Sequence, residues 1–250
     1  MYIRWHVTED DKEAVRSLIE SQQHTVLVKD RRERNLAANK NQITKERLWR
    51  AMVCMRLTTQ ARSGPQSKLA KFYKSQPFPL AYDVCVAQRS LENFILKVLK
   101  EHEVGRHQPT ISGQLASNLD RLERGDWDNL LDKCNQLTGL APRAIESEVA
   151  DFVDTLRGFG PKQSRNVLQA LGLTRFEIPI DSRVISWLNE TLRLPFQVTP
   201  AALGDRGYYS LVSDAICELC ESCGEFPCIL DAAIFGSKDG DHWTREQLAY

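Results

Sequence analysis

Apolar residues recur at helical spacing along most of the chain. Leu91, Phe94, Ile95, Val98 and Leu99 fall on one helix face, as do Ile145, Val149, Phe152, Val153 and Leu156. Val167, Leu168 and Leu171 continue the pattern, then Val184, Ile185, Leu188 and Leu192, then Leu211, Val212, Ile216 and Leu219. Breaks rich in Gly, Pro and polar residues fall at SGPQS (63–67), SQPFPL (75–80), GRHQPT (105–110), LAPR (140–143) and RLPFQVTP (193–200). Strand-like alternation is scarce. HTVLVKD (24–30) is the one good candidate, and FEIPI (176–180) is short and broken by proline. The pattern predicts an all-α fold, with no internal repeat, heptad array or low-complexity tract.

At 250 residues the chain holds one large domain or two small ones, with ample apolar content for a core. Its 33 basic and 33 acidic residues balance, so no global field draws it to nucleic acid or membrane. The balance hides an asymmetry. Residues 1–75 carry 16 Lys and Arg against 8 Asp and Glu, leaving 17 against 25 in the remainder. A basic N-terminal third fits a polyanion partner, although solvated helix faces are the commoner source of such charge. Seven cysteines without an obvious framework fit a reducing compartment. MYIRWHVTEDDKE has no apolar signal core, and no run approaches the ~18 residues that span a bilayer. These features predict an intracellular, cytoplasmic protein with no membrane partner.

The stretch LRGFGPKQS (156–164) carries the chemistry. Gly158 and Gly160 are both expected to take positive φ in a tight turn between two helices. Pro161 suits the first helical position, where its missing N–H costs nothing. The N–H groups of Gly160, Lys162 and Gln163 would then point outward from a helix N-terminus, a ready anion site. A bare GxG is ordinarily just a helix–helix turn. Here it follows an apolar helix ending at Leu156 and leads into Pro-Lys and a helix with small Ser164 facing the turn. The whole string resembles the helix-hairpin-helix motif, which grips a DNA phosphate through backbone amides.

The resemblance extends to Lys162, two residues after Gly160, and to Asp181, 19 residues after Lys162 in IPIDSRV. Together they resemble the signature of the helix-hairpin-helix (HhH-GPD) DNA glycosylase superfamily, the relatives of endonuclease III and 8-oxoguanine DNA glycosylase. Bifunctional members carry both residues and monofunctional ones lack the lysine. The match spans residues 145–190, with a weaker one at VCMRLTTQARSGP (53–65). The resemblance implies two helical lobes: a helical barrel over 48–172 ending in the hairpin, and a second lobe from 1–47 plus 173–250, with Lys162 and Asp181 at the interlobe cleft. It implies a monomeric glycosylase with AP lyase activity, acting on double-stranded DNA that contains a damaged base, such as the oxidised purine 8-oxoguanine, or an abasic site. No cofactor is required, although a monovalent cation can sit at the hairpin. Gln60 matches the glutamine that such enzymes insert into the gap left by an extruded nucleotide, the alternative being an ordinary loop glutamine. Arg62 beside it, and Arg183, are candidate phosphate contacts, each with the plain alternative of a surface arginine.

The chemistry explains the pairing. A lysine amine that attacks C1′ of the nucleotide forms a covalent Schiff base, from which strand cleavage by β-elimination follows. A solvated lysine is almost fully protonated, so its surroundings must favour the neutral amine. The first turn of a helix and desolvation under a bound nucleotide both act that way. Asp181 would stabilise positive charge growing on the sugar and help move protons. It also reads as the N-cap of the next helix, and the two roles are compatible.

CELCESCGEFPC spaces Cys217, Cys220, Cys223 and Cys228 as C-x2-C-x2-C-x4-C, and four thiolates can hold zinc or a 4Fe-4S cluster. Some endonuclease III relatives carry such a cluster on C-x6-C-x2-C-x5-C, which this spacing does not match. Cys217, Cys220 and Cys223 also fall on one helix face, and core or free thiols are the expectation. CILDAAIFG (228–236) reads as a terminal packing helix. Two alternatives stay open: a non-catalytic DNA-binding module using the hairpin as a phosphate clamp, and an iron–sulfur glycosylase of pyrimidine lesions.

Overall fold

The structure, a computed structural model, describes residues 5–58, 64, 66–192, 194–239 and 243–244. Helices and their connections account for these residues, and none of them is in a strand. The described residues divide into two compact units, one built from residues 5–37 and 174–244, the other from residues 38–173. The boundary thus falls at residue 37, ten residues before the position that the resemblance implies. Ile43 explains the difference. It is buried in the core of the 38–173 unit, its N–H donates to Asn135 Oδ1 (2.8 Å), and Lys40 N–H donates to Thr138 O (2.9 Å).

The 38–173 unit is organised around α3 (Lys45–Leu57), whose LWRAMVCMRL run is buried on nearly every face. A helix apolar all round belongs inside a bundle. Trp49 Nε1 donates to Leu80 O (3.0 Å), so the one polar atom of that buried side chain is satisfied. The short helices α4 (Lys68–Lys74) and α5 (Tyr82–Val86) follow, then α6 (Leu91–Glu101) and α7 (Gln108–Arg121), which pack on each other. α8 (Trp127–Gln136) leads to α9 (Arg143–Asp154) and α10 (Pro161–Ala170), and α10 packs on both α9 and α3. The predicted faces of α6 and α9 are the buried ones: Ile95, Val98 and Leu99 on α6, Val149 and Val153 on α9.

In the other unit, α1 (Glu9–Gln22) and α2 (Val26–Asn35) pack with α11 (Ser182–Thr191), α12 (Arg206–Ser222) and α13 (Pro227–Asp239). α13 plays the part that α3 plays in its unit, buried from Pro227 through Ile234. The strand expected at 24–30 is the start of α2. Thr25 caps it by accepting from Val28 N–H (3.4 Å), and the following KDRRERN run keeps helical geometry. An apolar V-L-V is too short to outweigh an N-cap and a run of good helix formers. FEIPI lies in no helix and pairs with no strand among the described residues. The buried Tyr209 hydroxyl accepts from Ile180 N–H (2.8 Å) and donates to Ile178 O (2.8 Å), doing what a neighbouring strand would do.

Gly158 is the tightest point of the 38–173 unit. It sits at φ +80°, and a Cβ there would stand 2.3 Å from Gln114 Oε1 and 2.4 Å from Arg56 Nε. Gly158→Ala is therefore expected to lower stability by about 2–4 kcal/mol, combining left-handed backbone strain with overpacking. Urea unfolding checks this. An unchanged midpoint would show that Arg56 and Gln114 move aside freely.

Candidate functional site

The segment between α9 and α10 is held from below by α7. Arg56, on α3 and 7% exposed, donates from Nε (2.8 Å) and Nη2 (2.6 Å) to Gln114 Oε1, and this pair fills the space under Gly158. One turn on, buried Asn118 donates to Arg157 O (2.9 Å) and accepts from Arg157 N–H (2.8 Å). Arg121 donates from Nη1 to Thr155 O (3.2 Å) and Thr155 Oγ1 (3.0 Å). Gln114, Asn118 and Arg121 lie four and three residues apart, one stripe of a helix. The backbone of 155–158 is thereby fixed.

α10 starts directly above. Gly160 is its N-cap, with Ser164 N–H donating to Gly160 O (3.0 Å), and Pro161 takes the first helical position as predicted. Ser164 is buried against the turn, its hydroxyl donating to Pro161 O (2.9 Å). Buried Arg165 bridges to Asp151 on α9 (3.4 Å), fastening the start of α10 to its neighbour. The N–H groups of Gly160 and Lys162 make no hydrogen bond among the described residues. Lys162 is exposed and its side chain is unpartnered among those residues, while half-buried Gln163 accepts from Asn166 Nδ2 (3.0 Å). One expectation needs correction. Gly160 has φ −125° and ψ −175°, extended backbone open to any residue, so only Gly158 of the two glycines takes positive φ.

Asp181 belongs to the other unit, as the N-cap of α11. Its Oδ1 accepts from Arg183 N–H (2.8 Å) and Val184 N–H (3.1 Å), and its Oδ2 from Arg183 Nη1 (2.9 Å). The Tyr209 bridge to Ile180 fixes the residue just before it. Arg183 is occupied at both ends: Nη2 donates to Asp239 (3.1 Å), and the guanidinium carbon lies 4.1 Å from the Phe235 ring centroid. A phosphate contact by Arg183 would have to compete with two carboxylates. Gln60 and Arg62 lie outside the described residues. The basic N-terminal excess is likewise partly engaged, with Arg31 paired to Asp231 (3.0 Å) and Arg32 to Glu225 (2.8 Å).

The four cysteines of the array differ in their surroundings. Cys220 and Cys228 are buried, Cys217 and Cys223 half-buried, and no disulfide joins any of the seven. Cys217 points its thiol at Phe176 O (3.7 Å) and Cys223 at Lys12 O (3.8 Å), two separate directions. Among the described residues no three His, Cys, Asp or Glu side chains converge on one point. A cavity of about 330 Å³ in the same unit is lined mainly by apolar side chains, among them Trp5, Leu188, Leu192, Phe196 and Ile216. No described helix is long and apolar enough to cross a membrane.

Sequence reasoning missed the residues under the turn. Arg56, Gln114, Asn118 and Arg121 lie on helices 30 to 100 residues away, and no local pattern marks them. No protein-family model matches the chain, and no curated protein matches its sequence.

Burial pushes the thiols of Cys54, Cys85 and Cys134 up to about 12, and Cys220 well above the usual thiol range. At pH 8, Ellman's reagent is expected to label only Cys217 and Cys223 quickly in the native protein, and all seven thiols after denaturation. The raised thiols also set a pH dependence. Stability is unaffected below about pH 8.5, the unfolded thiol value, and falls as pH rises toward 12, because the unfolded chain releases protons that the native chain keeps. Fast labelling of Cys54 or Cys134 would contradict the packed core.

Proposed function

We propose that the chain is a DNA glycosylase with AP lyase activity, removing a damaged base, such as an oxidised purine, through a Schiff base on Lys162. The observation that carries the reading is the α9–α10 turn: a braced backbone, a helix N-terminus with open amides at Gly160 and Lys162, and an exposed lysine on its first turn. Read this way, the turn is a helix-hairpin-helix element. Its amide N–H groups donate to a phosphate oxygen of duplex DNA. The Lys162 amine attacks C1′ of an extruded nucleotide, the base departs with the bonding electrons and takes up a proton, and the sugar opens to an imine. Loss of the proton at C2′ then expels the 3′ phosphate. Asp181 supplies negative charge to the developing cation; its Oδ2 carries a single bond, to Arg183, and the side chain is 19% exposed.

A phosphate clamp alone uses neither Lys162 nor Asp181, so covalent chemistry separates the two readings. Borohydride is expected to trap the protein on duplex DNA containing an abasic site, and Lys162→Ala to abolish trapping while keeping affinity within about tenfold, ~1.4 kcal/mol. Binding without trapping by the parent chain would leave the clamp. Trapping that survives Lys162→Ala would assign the nucleophile to another amine.

Asp181→Asn tests the second residue. Asparagine caps a helix as well as aspartate does, so the fold is expected to hold, with circular dichroism unchanged. Single-turnover base removal is expected to slow by at least about a hundredfold, since charge is lost and shape is kept. Unimpaired base removal would confine Asp181 to capping.

A further inference from the structure

Among the described residues, the other arginines at the α9–α10 turn are used within the chain. Arg56 holds Gln114, Arg121 holds Thr155 and Asp126, and Arg165 holds Asp151 and Ser164. Arg157 is the exception. Its side chain is exposed and makes no hydrogen bond, ion pair or ring contact among the described residues. Its backbone, by contrast, is held at both polar groups by Asn118, which is 1% exposed and reaches it from 39 residues away. A buried carboxamide satisfied at both ends is costly to disturb, because each lost bond leaves a desolvated group unpaired. The next residue, Gly158, is pinned at φ +80° above Arg56 and Gln114. A fixed Cα thus carries a free guanidinium three residues before Gly160, on the same turn as the open amides.

We propose that Arg157 is the phosphate-contacting cation of this turn, beside its amides, and that buried Asn118 is the positioning residue that aims it. The inference rests on the reading of the turn as a DNA-phosphate site. Backbone amides at a helix N-terminus give one oxygen its hydrogen bonds but carry no net charge to displace counterions. A guanidinium supplies that charge and offers a planar fork matched to phosphate oxygens. With Lys162 assigned to the sugar, Arg157 is the cation that remains for the backbone. Near the turn, Asp154 is 7% exposed, and the exposed Asp151 carboxylate pairs with Arg165 rather than with Arg157.

The test is the salt dependence of binding to a duplex carrying a tetrahydrofuran abasic analogue, which cannot form the imine. Arg157→Ala is expected to weaken binding at low salt and to reduce the slope of log affinity against log salt by about 0.9, one phosphate's worth of counterions, with Arg157→Lys restoring the slope. Asn118→Ala, assayed well below its unfolding temperature, is expected to weaken binding too. In the double variant the two losses should be less than additive, because one residue acts through the other. A parent chain that binds, with an Arg157→Ala variant of identical slope, would overturn the role of Arg157 alone. Full additivity would overturn the role of Asn118. A parent chain that does not bind the duplex would overturn the reading of the turn and this inference with it.

Discussion

The missing Cβ at Gly158 is the constraint on which the α9–α10 region turns. A buried guanidinium is tolerated only when its donors are met, and Arg56 meets them partly through Gln114 directly beneath that glycine. Burial lowers the pKa of Arg56, a measure of how far the group is withdrawn from water. Any side chain at 158 would displace the pair and push the turn outward. With glycine there, α3 and α7 reach the turn from below, Asn118 and Arg121 add their bonds, and α10 begins three residues later at Pro161. The backbone of a surface turn is set by groups in the interior. A preorganised anion site needs this arrangement, because amides that must reorder on binding lose affinity to the entropy of ordering.

The other unit reaches a similar end with different means. The backbone before Asp181 contains proline, lies in no helix, and has no strand beside it, yet it cannot wander. Tyr209 on α12 holds Ile178 and Ile180, and Asp181 then caps α11 through Oδ1. Oδ2 is left to meet Arg183, which Asp239 and Phe235 hold in turn. The carboxylate is therefore oriented by three elements at once. Capping and charge presentation do not compete here, because they use different oxygens.

What was legible in the sequence follows from the range of the forces involved. Helix faces such as Ile95, Val98 and Leu99 were readable, since burial imposes its 3.6-residue period locally. So were Pro161 at a first helical position and Asp181 at a cap, both rules of a few residues. The start of α2 reads as a strand because V-L-V is a short apolar run rich in β-branched residues, while the signal that wins, Thr25 as N-cap, is a single residue. Gly160 was assigned a positive φ from its neighbour's pattern, and GFG in itself does not say which glycine turns the chain. Asn118, Gln114 and Arg56 were invisible for a deeper reason: they act through tertiary contacts, and an asparagine on a helix face carries no mark of the backbone 39 residues away that it will bond.

Gly160 then acquires a different meaning from Gly158. Its φ is open to any residue, and an added Cβ would meet nothing among the described residues within 4 Å. Neither backbone strain nor internal packing asks for glycine there, and as a helix N-cap it forgoes the side-chain hydrogen bond that Ser, Thr, Asn or Asp would add. The two glycines of the turn thus differ in kind: the protein's own interior requires the one at 158, while no described neighbour requires the one at 160.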